Sequence, residues 1–188
     1  MIKLVAIVGS PRRGGNTETL LDRAIEEAKK KGAVCEKIVL NSLSIKPCQE
    51  CGGCLKTGAC VITDDMAGVY NALNTSNILI VASPIFFGNI SAQTKIMVDR
   101  MQCRWVGKYL LKQKPQKKNK RGAFISCEAL KTGKYFECAK MVIDIFFKVQ
   151  DIEYKEEMFV AGVDDKGDVL KQKGILESVD EMVGRLMS

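Results

Sequence analysis

The stretch KLVAIVGSPRRGGNTETLL, residues 3–21, joins an apolar run to a helical pattern through a loop rich in glycine and polar residues. Its first part, KLVAIVGS at 3–10, shows no polar alternation, which is typical of a strand buried on both faces of a parallel sheet. Residues 17–32 then carry apolar side chains at helical spacing, namely Leu20, Leu21, Ala24, Ile25 and Ala28. The stretch therefore predicts a strand, a turn and a helix, the first unit of an α/β fold.

The same alternation continues along the rest of the chain. Further strands are predicted at 35–43, 77–84, 121–127 and 153–163, and further helices at 64–76, 91–101, 134–149 and about 175–186. Five strands alternating with five helices predict one flavodoxin-like domain over residues 1–188. Its doubly wound parallel sheet should have strand order 2-1-3-4-5, with a cysteine-rich loop after strand 2.

The composition excludes several classes of protein. The 188-residue chain carries no histidine, which excludes Ser-His-Asp hydrolysis, Cys2His2 zinc sites and catalysis by a His-held metal. There is no run of about 18 apolar residues, so we expect no membrane segment and a cytoplasmic protein. The eight cysteines then favour metal or redox chemistry over disulfides, because cytosolic thiol pools keep such pairs reduced.

Much of the net charge of +7 lies in RWVGKYLLKQKPQKKNKR, residues 104–121, called the basic run below. Its second half has few apolar residues, so we predict a solvated loop between two core elements. Aromatic residues are not interleaved with the basic ones and no nucleic-acid-binding motif is present, so we expect no nucleic-acid partner. A basic patch of this kind is suited to attracting an acidic protein or a phosphorylated nucleotide.

The loop after the first strand, GSPRRGGNTETLL at 9–21, has the features of an anion site. Ligands of doubly wound sheets bind beyond the carboxyl ends of the strands, and the free N–H groups of a helix start attract anions. The loop adds polar and charged donors, Ser10, Arg12, Arg13, Asn16 and Thr17. It lacks the P-loop Lys and Ser/Thr, so it suits a phosphate that is held and not transferred. The alternative is a plain turn with Asn16 as the helix cap.

The loop after the third strand, SPIFFGNISAQTK at 83–95, offers apolar surface beside backbone donors. We expect its exposed part to hold a planar heteroaromatic ring, and the residues concerned are Pro84, Ile85, Phe86, Phe87, Gly88 and Asn89. A phosphate loop and a ring loop on one edge of such a sheet indicate FMN. Phe86 and Phe87 could instead be ordinary core residues.

Four cysteines lie within CQECGGCLKTGAC, residues 48–60. The spacing of Cys48, Cys51 and Cys54 places three thiolates around one turning backbone, and the step to Cys60 lets a fourth return to a cuboidal cluster. We therefore predict an iron-sulfur cluster in segment 47–62. A structural zinc ion is the alternative, although such sites usually draw Cys pairs from separated segments, and a disulfide pair is a third possibility.

The other polar and thiol groups have simpler interpretations. Cys35, Cys103, Cys127 and Cys138 are isolated, and we expect buried free thiols. Asp64 and Asp65 follow the cysteines at the predicted start of a helix, where carboxylates complement the helix dipole. No side chain is predicted to act as a catalytic residue.

Three stretches together resemble the iron-sulfur flavoproteins, a branch of the NADPH-dependent FMN reductase group with a flavodoxin-like fold. They are GSPRRGGNTETLL, the cysteine stretch ending in ACVITDD, and SPIFFGNISAQTKIMVDR. The resemblance implies FMN contacts at Ser10, Arg12, Asn16, Thr17 and Pro84 to Asn89, and a 4Fe-4S cluster held by Cys48, Cys51, Cys54 and Cys60. It also implies a homodimer or homotetramer in which the cluster of one chain lies near the flavin of another.

The resemblance runs from the first strand to about Arg100, and the chain departs from the family pattern after the fourth strand. The family tends to have a glycine-rich flavin loop there, whereas this chain has SCEALKTGKYFECAK at 126–140. A third flavin contact through Ser126, Cys127 or Glu128 is therefore left open.

Two functions follow from these features. The first is an electron-transfer flavoprotein that carries electrons between a ferredoxin-like donor and a small acceptor, since FMN exchanges one or two electrons and a cluster exchanges one. The alternative is an NAD(P)H-dependent FMN or quinone reductase whose four cysteines are structural. A redox-sensing protein without turnover is a third class, which no feature of the sequence favours.

Overall fold

The computed structural model describes residues 1–188, and its main element is a five-stranded parallel sheet. The strands are β1 (Lys3–Val8), β2 (Val34–Val39), β3 (Ile78–Ala82), β6 (Lys120–Glu128) and β7 (Ile152–Ala161). Their order is β2-β1-β3-β6-β7, which confirms the predicted order 2-1-3-4-5. The two short strands β4 (Ile85–Phe86) and β5 (Asn89–Ile90) form a separate antiparallel hairpin.

Six α-helices accompany the strands. They are α1 (Asn16–Lys30), α2 (Met66–Thr75), α3 (Ala92–Asp99), α4 (Gln102–Trp105), α5 (Phe136–Val149) and α6 (Ile175–Met187). Helices α1 and α6 cover one face of the sheet, and α2, α3 and α5 cover the other. No helix here combines the length and the apolar composition that a membrane span needs.

The first strand explains why the sheet is buried on both faces. Leu4, Ala6 and Val8 point into the core cluster beneath α1 and α6, while Val5 and Ile7 point into the cluster beneath the other helices. All five side chains are fully buried. Each large apolar side chain removed from water contributes about 1.5–3 kcal/mol before entropic costs, so an uninterrupted apolar run is what this position requires.

The structure differs from the sequence prediction in two connectors. The basic run is not a wholly irregular loop, because its first half forms α4 and a π-helix at Val106–Leu110. The hairpin β4–β5 was not predicted, because strands of two residues are too short to show a periodicity. Elsewhere the predicted elements are confirmed with boundaries shifted by a few residues, as at β2, which ends at Val39 where a 3₁₀ turn begins.

Candidate functional site

Loops after four strands meet at the carboxyl edge of the sheet and enclose a small cavity of about 60 Å³, called the inner cavity. Its lining includes seven of the ten residues predicted to contact FMN, namely Ser10, Arg12, Asn16, Thr17, Pro84, Ile85 and Phe86. The sequence analysis missed the contributions from beyond β7, which are Val163, Asp164 and Lys166. They could have been anticipated, since all loops after parallel strands reach the same edge.

The β1–α1 loop forms a compact turn that presents the start of α1. The Ser10 hydroxyl accepts a hydrogen bond from the Arg12 backbone N–H at 3.2 Å. The Glu18 carboxylate accepts one from the Gly14 N–H at 2.7 Å and pairs with Lys37 at 2.7 Å. Burial opposes its ionisation, but these partners outweigh burial and lower the pKa of Glu18. The first N–H groups of α1 have no acceptor within the helix and stay available to an anion.

Two predicted phosphate ligands are tied to the segment after β7. The Asn16 amide donates to the Asp165 carbonyl at 2.9 Å, and its Oδ1 accepts from the N–H groups of Gly167 and Val169. The Arg12 guanidinium donates to the Asp164 carbonyl at 2.8 Å and also pairs with its carboxylate. Gly15 and not Asn16 occupies the N-cap position of α1, so the alternative of Asn16 as the helix cap is wrong. The contact of Asn16 with the segment after β7 was not predicted from the sequence. The Asn16 side chain holds a neighbouring loop in place.

The hairpin β4–β5 presents the aromatic residues of the second loop. Phe86 is exposed and Phe87 fully so, which shows that the alternative of two core aromatics is wrong. Phe87 and Gly88 form the turn with φ of 48° and 79°, the signs that a type I′ turn requires. A positive φ is unfavourable for a bulky residue, so the turn holds Phe87 outward against its own backbone preference. Asn89 accepts a hydrogen bond from the Ile90 N–H. It lines neither the inner cavity nor a second, larger cavity at this edge.

A larger cavity of about 430 Å³, called the outer cavity, adjoins the inner one at Ile85 and Ala129. It is lined by Phe87, Gly88, Glu128, Leu130 and Tyr135 as well. Glu128 is only 3% exposed, and its Oε2 has no hydrogen-bond partner. The loop left open in the sequence analysis therefore does reach this edge of the sheet.

The residues next to Glu128 divide between the cavities and the core. Cys127 lines the inner cavity, and burial raises the pKa of its thiol to about 11. Ser126 is buried and donates to the Ser83 carbonyl at 2.8 Å. Cys127 is therefore a neutral thiol at neutral pH, and Ser126 links β6 to the loop after β3.

The cysteine segment between β2 and α2 has almost no regular structure, and one buried ion pair helps to attach it to the body. The Arg100 guanidinium lies 2.6 Å from the Asp64 carboxylate, with side chains 0% and 6% exposed. Arg100 also donates to the Lys46 carbonyl at 2.8 Å and to Cys60 Sγ at 3.4 Å. Asp64 in turn accepts the N–H of Met66 at the start of α2. The sequence analysis expected Asp64 to complement this helix and missed its pairing with Arg100.

The hydrogen bonds of Asp64 also set its charge state. Burial alone would raise the pKa of this carboxyl. The Arg100 guanidinium and the N–H groups of Lys46 and Met66 more than offset burial, so its pKa lies below the usual range. Asp64 is therefore ionised, and the pair with Arg100 is a true salt bridge.

The four cysteines of the motif surround one cavity of about 240 Å³, called the cysteine cavity. Half of its other lining groups are apolar, namely Leu55, Val61, Ile62, Val106 and a fifth thiol, Cys103, and the rest include Glu50 and Arg100. No three Cys, Asp or Glu side chains lie close enough together to hold a metal ion. The four motif thiols therefore line the wall of the cavity and do not meet at one position where a single metal ion could bind.

The surroundings of Cys54 oppose its ionisation in the chain alone. Burial raises the pKa of Cys54, and the nearby Cys103, Cys60 and Cys48 raise it further. The Nε of Arg100 is buried and has no hydrogen-bond partner. Among the other cysteines, Cys103 and Cys127 are buried as predicted, Cys35 is half-buried, and the prediction was wrong for Cys138, which is exposed.

Helix α3 connects the two regions. Ser91, at its N-cap, accepts the Thr94 N–H and donates to the Gly9 carbonyl next to the inner cavity. Arg100, at its C-cap, lines the cysteine cavity. Eight helical residues at 1.5 Å each span about 12 Å, so one short rigid element separates the cavities.

Comparisons with known proteins agree with this arrangement. The family model described as NADPH-dependent FMN reductase matches residues 2–160. An iron-sulfur flavoprotein of Methanosarcina thermophila is 35% identical over 133 residues, which is 70% of this chain and 66% of the relative. One from Archaeoglobus fulgidus is 41% identical over 100 residues, 53% of this chain and 46% of the relative. The chain thus matches about half to two thirds of the length of these relatives.

Solved structures show the same fold. An FMN-dependent NADH-azoreductase from Bacillus anthracis, solved in complex with FMN, superposes with a TM-score of 0.72. The match covers 100% of both chains at 15% sequence identity. A likeness at this identity establishes the architecture and leaves the chemistry to the site.

Proposed function

Because the chain belongs to the NADPH-dependent FMN reductase family, we propose that it is a cytoplasmic iron-sulfur flavoprotein of the electron-transfer type. It would carry electrons between a ferredoxin-like donor and a small-molecule acceptor through FMN and a 4Fe-4S cluster. The observation that carries the proposal is the pair of sites at the two ends of α3, one suited to a phosphorylated flavin and one lined by the four motif thiols.

The residues at the carboxyl edge fit FMN. The phosphate would be held by the free N–H groups at the start of α1, with Ser10, Thr17 and Arg12 around it. The ring would lie against the hairpin between Pro84 and Asn89, whose residues Ile85, Phe87 and Gly88 line the open, largely apolar outer cavity. The buried, unpartnered Glu128 Oε2 is an acceptor in the same cavity, since buried polar atoms normally have a partner.

The residues of the cysteine cavity fit a cluster better than a single ion. A single zinc ion needs its thiolates about 2.3 Å away in a tetrahedron, whereas these thiols surround a cavity of about 240 Å³. A cuboidal cluster is ligated at separate corners, which suits Cys48, Cys51, Cys54 and Cys60. The buried Arg100, with Nη2 on Cys60 and a free Nε, supplies positive charge and a donor for sulfur.

The chain's own residues bind and orient in this proposal and do not perform acid-base chemistry. When bound, FMN exchanges one or two electrons and the cluster exchanges one. Leu55, Val61 and Val106 add apolar surface to the cysteine cavity, and Arg100 would compensate the negative charge of a cluster held there. Cys127 remains a neutral thiol because its pKa is raised to about 11.

Partner binding is assigned to the basic run and to the hairpin. Exposed lysines of the run, such as Lys112 and Lys118, would steer an acidic donor toward the chain. The exposed Phe87 and the family resemblance support a homodimer or homotetramer in which a second chain covers the flavin. Rates of reduction by a ferredoxin that do not change with ionic strength would count against this docking surface.

A second candidate is an NAD(P)H-dependent FMN or quinone reductase with a structural four-cysteine site. It is favoured by the description of the family whose model matches 2–160. Stopped-flow mixing separates the two candidates. Rapid bleaching of bound flavin by NAD(P)H supports the reductase, whereas slow bleaching with fast reduction by ferredoxin supports the carrier.

The composition of the purified protein is the decisive test of the cofactors. Protein isolated without air should contain iron, acid-labile sulfide and FMN, with the visible spectrum of both groups. Cys54→Ser should abolish iron binding, whereas Cys138→Ser, an exposed thiol on α5, should leave it unchanged. A yellow preparation that contains zinc and no labile sulfide would transfer the assignment to the second candidate.

A further inference from the structure

A fourth cavity, called the basic pocket, lies at the amino edge of the sheet, opposite the flavin edge. It has a volume of about 110 Å³, far above the roughly 10–15 Å³ that a single water needs by this measure. The ends of α2 and α5, the start of β6 and the basic run form its walls. None of its lining residues contributes to the inner, outer or cysteine cavity.

The charge of the basic pocket is strongly unbalanced. Five cationic side chains line it, Arg104, Lys108, Lys114, Lys117 and Lys120, against the single carboxylate of Asp151. Asp151 is paired with Lys108 at 2.6 Å. Arg104 and Lys117 bond to neutral oxygens, the Asn74 side chain at 2.7 Å and the Thr75 carbonyl at 2.9 Å, so their charges remain uncompensated.

Two groups in the wall lack satisfactory partners although they are buried. Lys120 is 6% exposed, and its only hydrogen bond is a long contact of 3.5 Å to the Gln150 carbonyl. Burial and repulsion from Arg104 and Lys117 lower the pKa of Lys120 to about 8, with only Asp151 acting in the opposite direction. Gln150 is 8% exposed, and its side-chain Nε2 has no partner. Buried cations and amides in proteins normally have acceptors.

We propose that the basic pocket is a binding site for a phosphate-class oxyanion, either free phosphate or the phosphate group of a small phosphorylated compound. Such an anion is small enough for the space, carries about two negative charges, and accepts hydrogen bonds on several oxygens at once. It would supply the missing acceptor for Lys120 and the missing counter-charge for Arg104 and Lys117.

An acidic protein surface fits the pocket less well than a small anion. Lys120 and Gln150 are buried in the cavity wall, where a carboxylate attached to a folded protein surface cannot reach both. The exposed Lys112 and Lys118 do not line the pocket and remain free for protein docking. The anion site is therefore independent of the proposed function and of its donor.

The pocket is nevertheless next to the cysteine segment. Cys103 and Val106 line the cysteine cavity, while Arg104 and Gly107, on the same helical segment, line the basic pocket. The Gln113 side chain lines the pocket and donates to the Thr57 carbonyl at 2.9 Å. An anion bound here would lie behind one wall of the cysteine cavity.

Isothermal titration of the FMN-saturated protein with inorganic phosphate, in a phosphate-free buffer at fixed ionic strength, tests the site, because bound FMN then occupies the proposed phosphate loop after β1. We expect one saturable site in the wild-type protein. Lys120→Met should weaken the affinity by about tenfold or more, because a charge-assisted hydrogen bond is lost. Two matched controls, Lys118→Met on the same run and Arg12→Gln at the flavin edge, should each change the affinity by less than about twofold, since neither touches the pocket.

Thermal unfolding keeps the test valid if a variant folds poorly. Phosphate should raise the Tm of the wild type, because it binds the folded state only, and should raise that of Lys120→Met clearly less at the same phosphate concentration. Glycerol phosphate in a parallel titration distinguishes the sources: tighter binding than phosphate indicates a phosphorylated compound, and weaker binding indicates the free anion. Equal weakening by Lys118→Met and Lys120→Met, loss of binding in Arg12→Gln, or no saturable binding of either compound would overturn the proposal.

Discussion

Replacing Arg100 by Met should release the cysteine segment from the body of the protein. The Arg100 side chain is fully buried and pairs with Asp64 at 2.6 Å, and it holds the carbonyls of Lys46 and Ile62 on both sides of the four cysteines. Methionine has a similar length and fills the space with apolar atoms. The substitution therefore removes the charge and the hydrogen bonds while disturbing the packing little.

The expected loss of folding stability in Arg100→Met follows from the burial of Asp64, the partner of Arg100. Removing one member of a buried ion pair typically costs about 3–5 kcal/mol, because the other charge stays buried without compensation. We expect a loss of this size for Arg100→Met. The double variant with Asp64→Asn should lose less, because no uncompensated charge then remains.

Urea unfolding followed by circular dichroism measures this effect, after an iron chelator has removed any metal. Lys95→Met is a matched control on the same helix, since Lys95 pairs with Asp99 at 2.7 Å with both side chains about half exposed. An exposed pair at this spacing contributes about 0.3–0.5 kcal/mol. If Arg100→Met cost no more than Lys95→Met, the reasoning from burial would be refuted.

The pH dependence provides an independent check. The pKa of Asp64 is lowered in the folded protein, so its contribution to stability is present above the unfolded pKa of about 3.9 and is lost as pH falls through the folded pKa. Without Arg100, burial is opposed only by the N–H groups of Lys46 and Met66, so the pKa of this carboxyl is higher than in the wild type. The stability gap between wild type and variant should therefore narrow from pH 7 to pH 4.

Three further substitutions have defined outcomes. Lys120→Met should raise the free energy of unfolding at pH 7 by up to about 3 kcal/mol, because the buried charged lysine destabilises the folded state: its folded pKa of about 8 lies below the unfolded value of about 10.4, and each unit corresponds to about 1.4 kcal/mol. The gain should fade as pH rises from 8 to 10, where the lysine of the wild type loses its charge. Urea unfolding without phosphate measures both effects. Gly9→Ala should destabilise the fold by about 1–3 kcal/mol, since its Cβ would lie 1.9 Å from Thr94 Oγ1; a Tm equal to that of wild type would contradict this. Phe87→Asn should stabilise the turn by about 1 kcal/mol, since Asn tolerates positive φ before Gly88, and should weaken flavin retention on gel filtration.

Most strands and helices of this fold could be predicted from the sequence, because each shows a periodic pattern of buried apolar residues. The five strands of the main sheet and the helices α1, α5 and α6 were visible as apolar runs and helical stripes. The β4–β5 hairpin was not visible, because two-residue strands carry no period. The π-helix at Val106–Leu110 was hidden in a basic run whose charges indicated a solvated loop.

The site could be predicted in part for a similar reason. Ser10, Thr17 and the hairpin residues were predicted to lie at the carboxyl edge because each follows a strand along the chain, and Ser10, Thr17 and Phe86 line the inner cavity there. Arg100 was missed because a basic residue near the end of a short helix is usually solvated, and only the folded chain brings Asp64 to it. The role of Asn16 as a support for the segment after β7 depends on a contact between residues about 150 positions apart.

The cysteine segment takes no part in the ladder of the main sheet, whose five strands pair without it. The sheet and its helices can consequently form without a bound cluster, and the Arg100–Asp64 ion pair then fixes the cysteine segment to them. Under the proposed function, folding of the sheet and insertion of a cluster would be separate events. A chain without a cluster would then still have its sheet and its flavin edge.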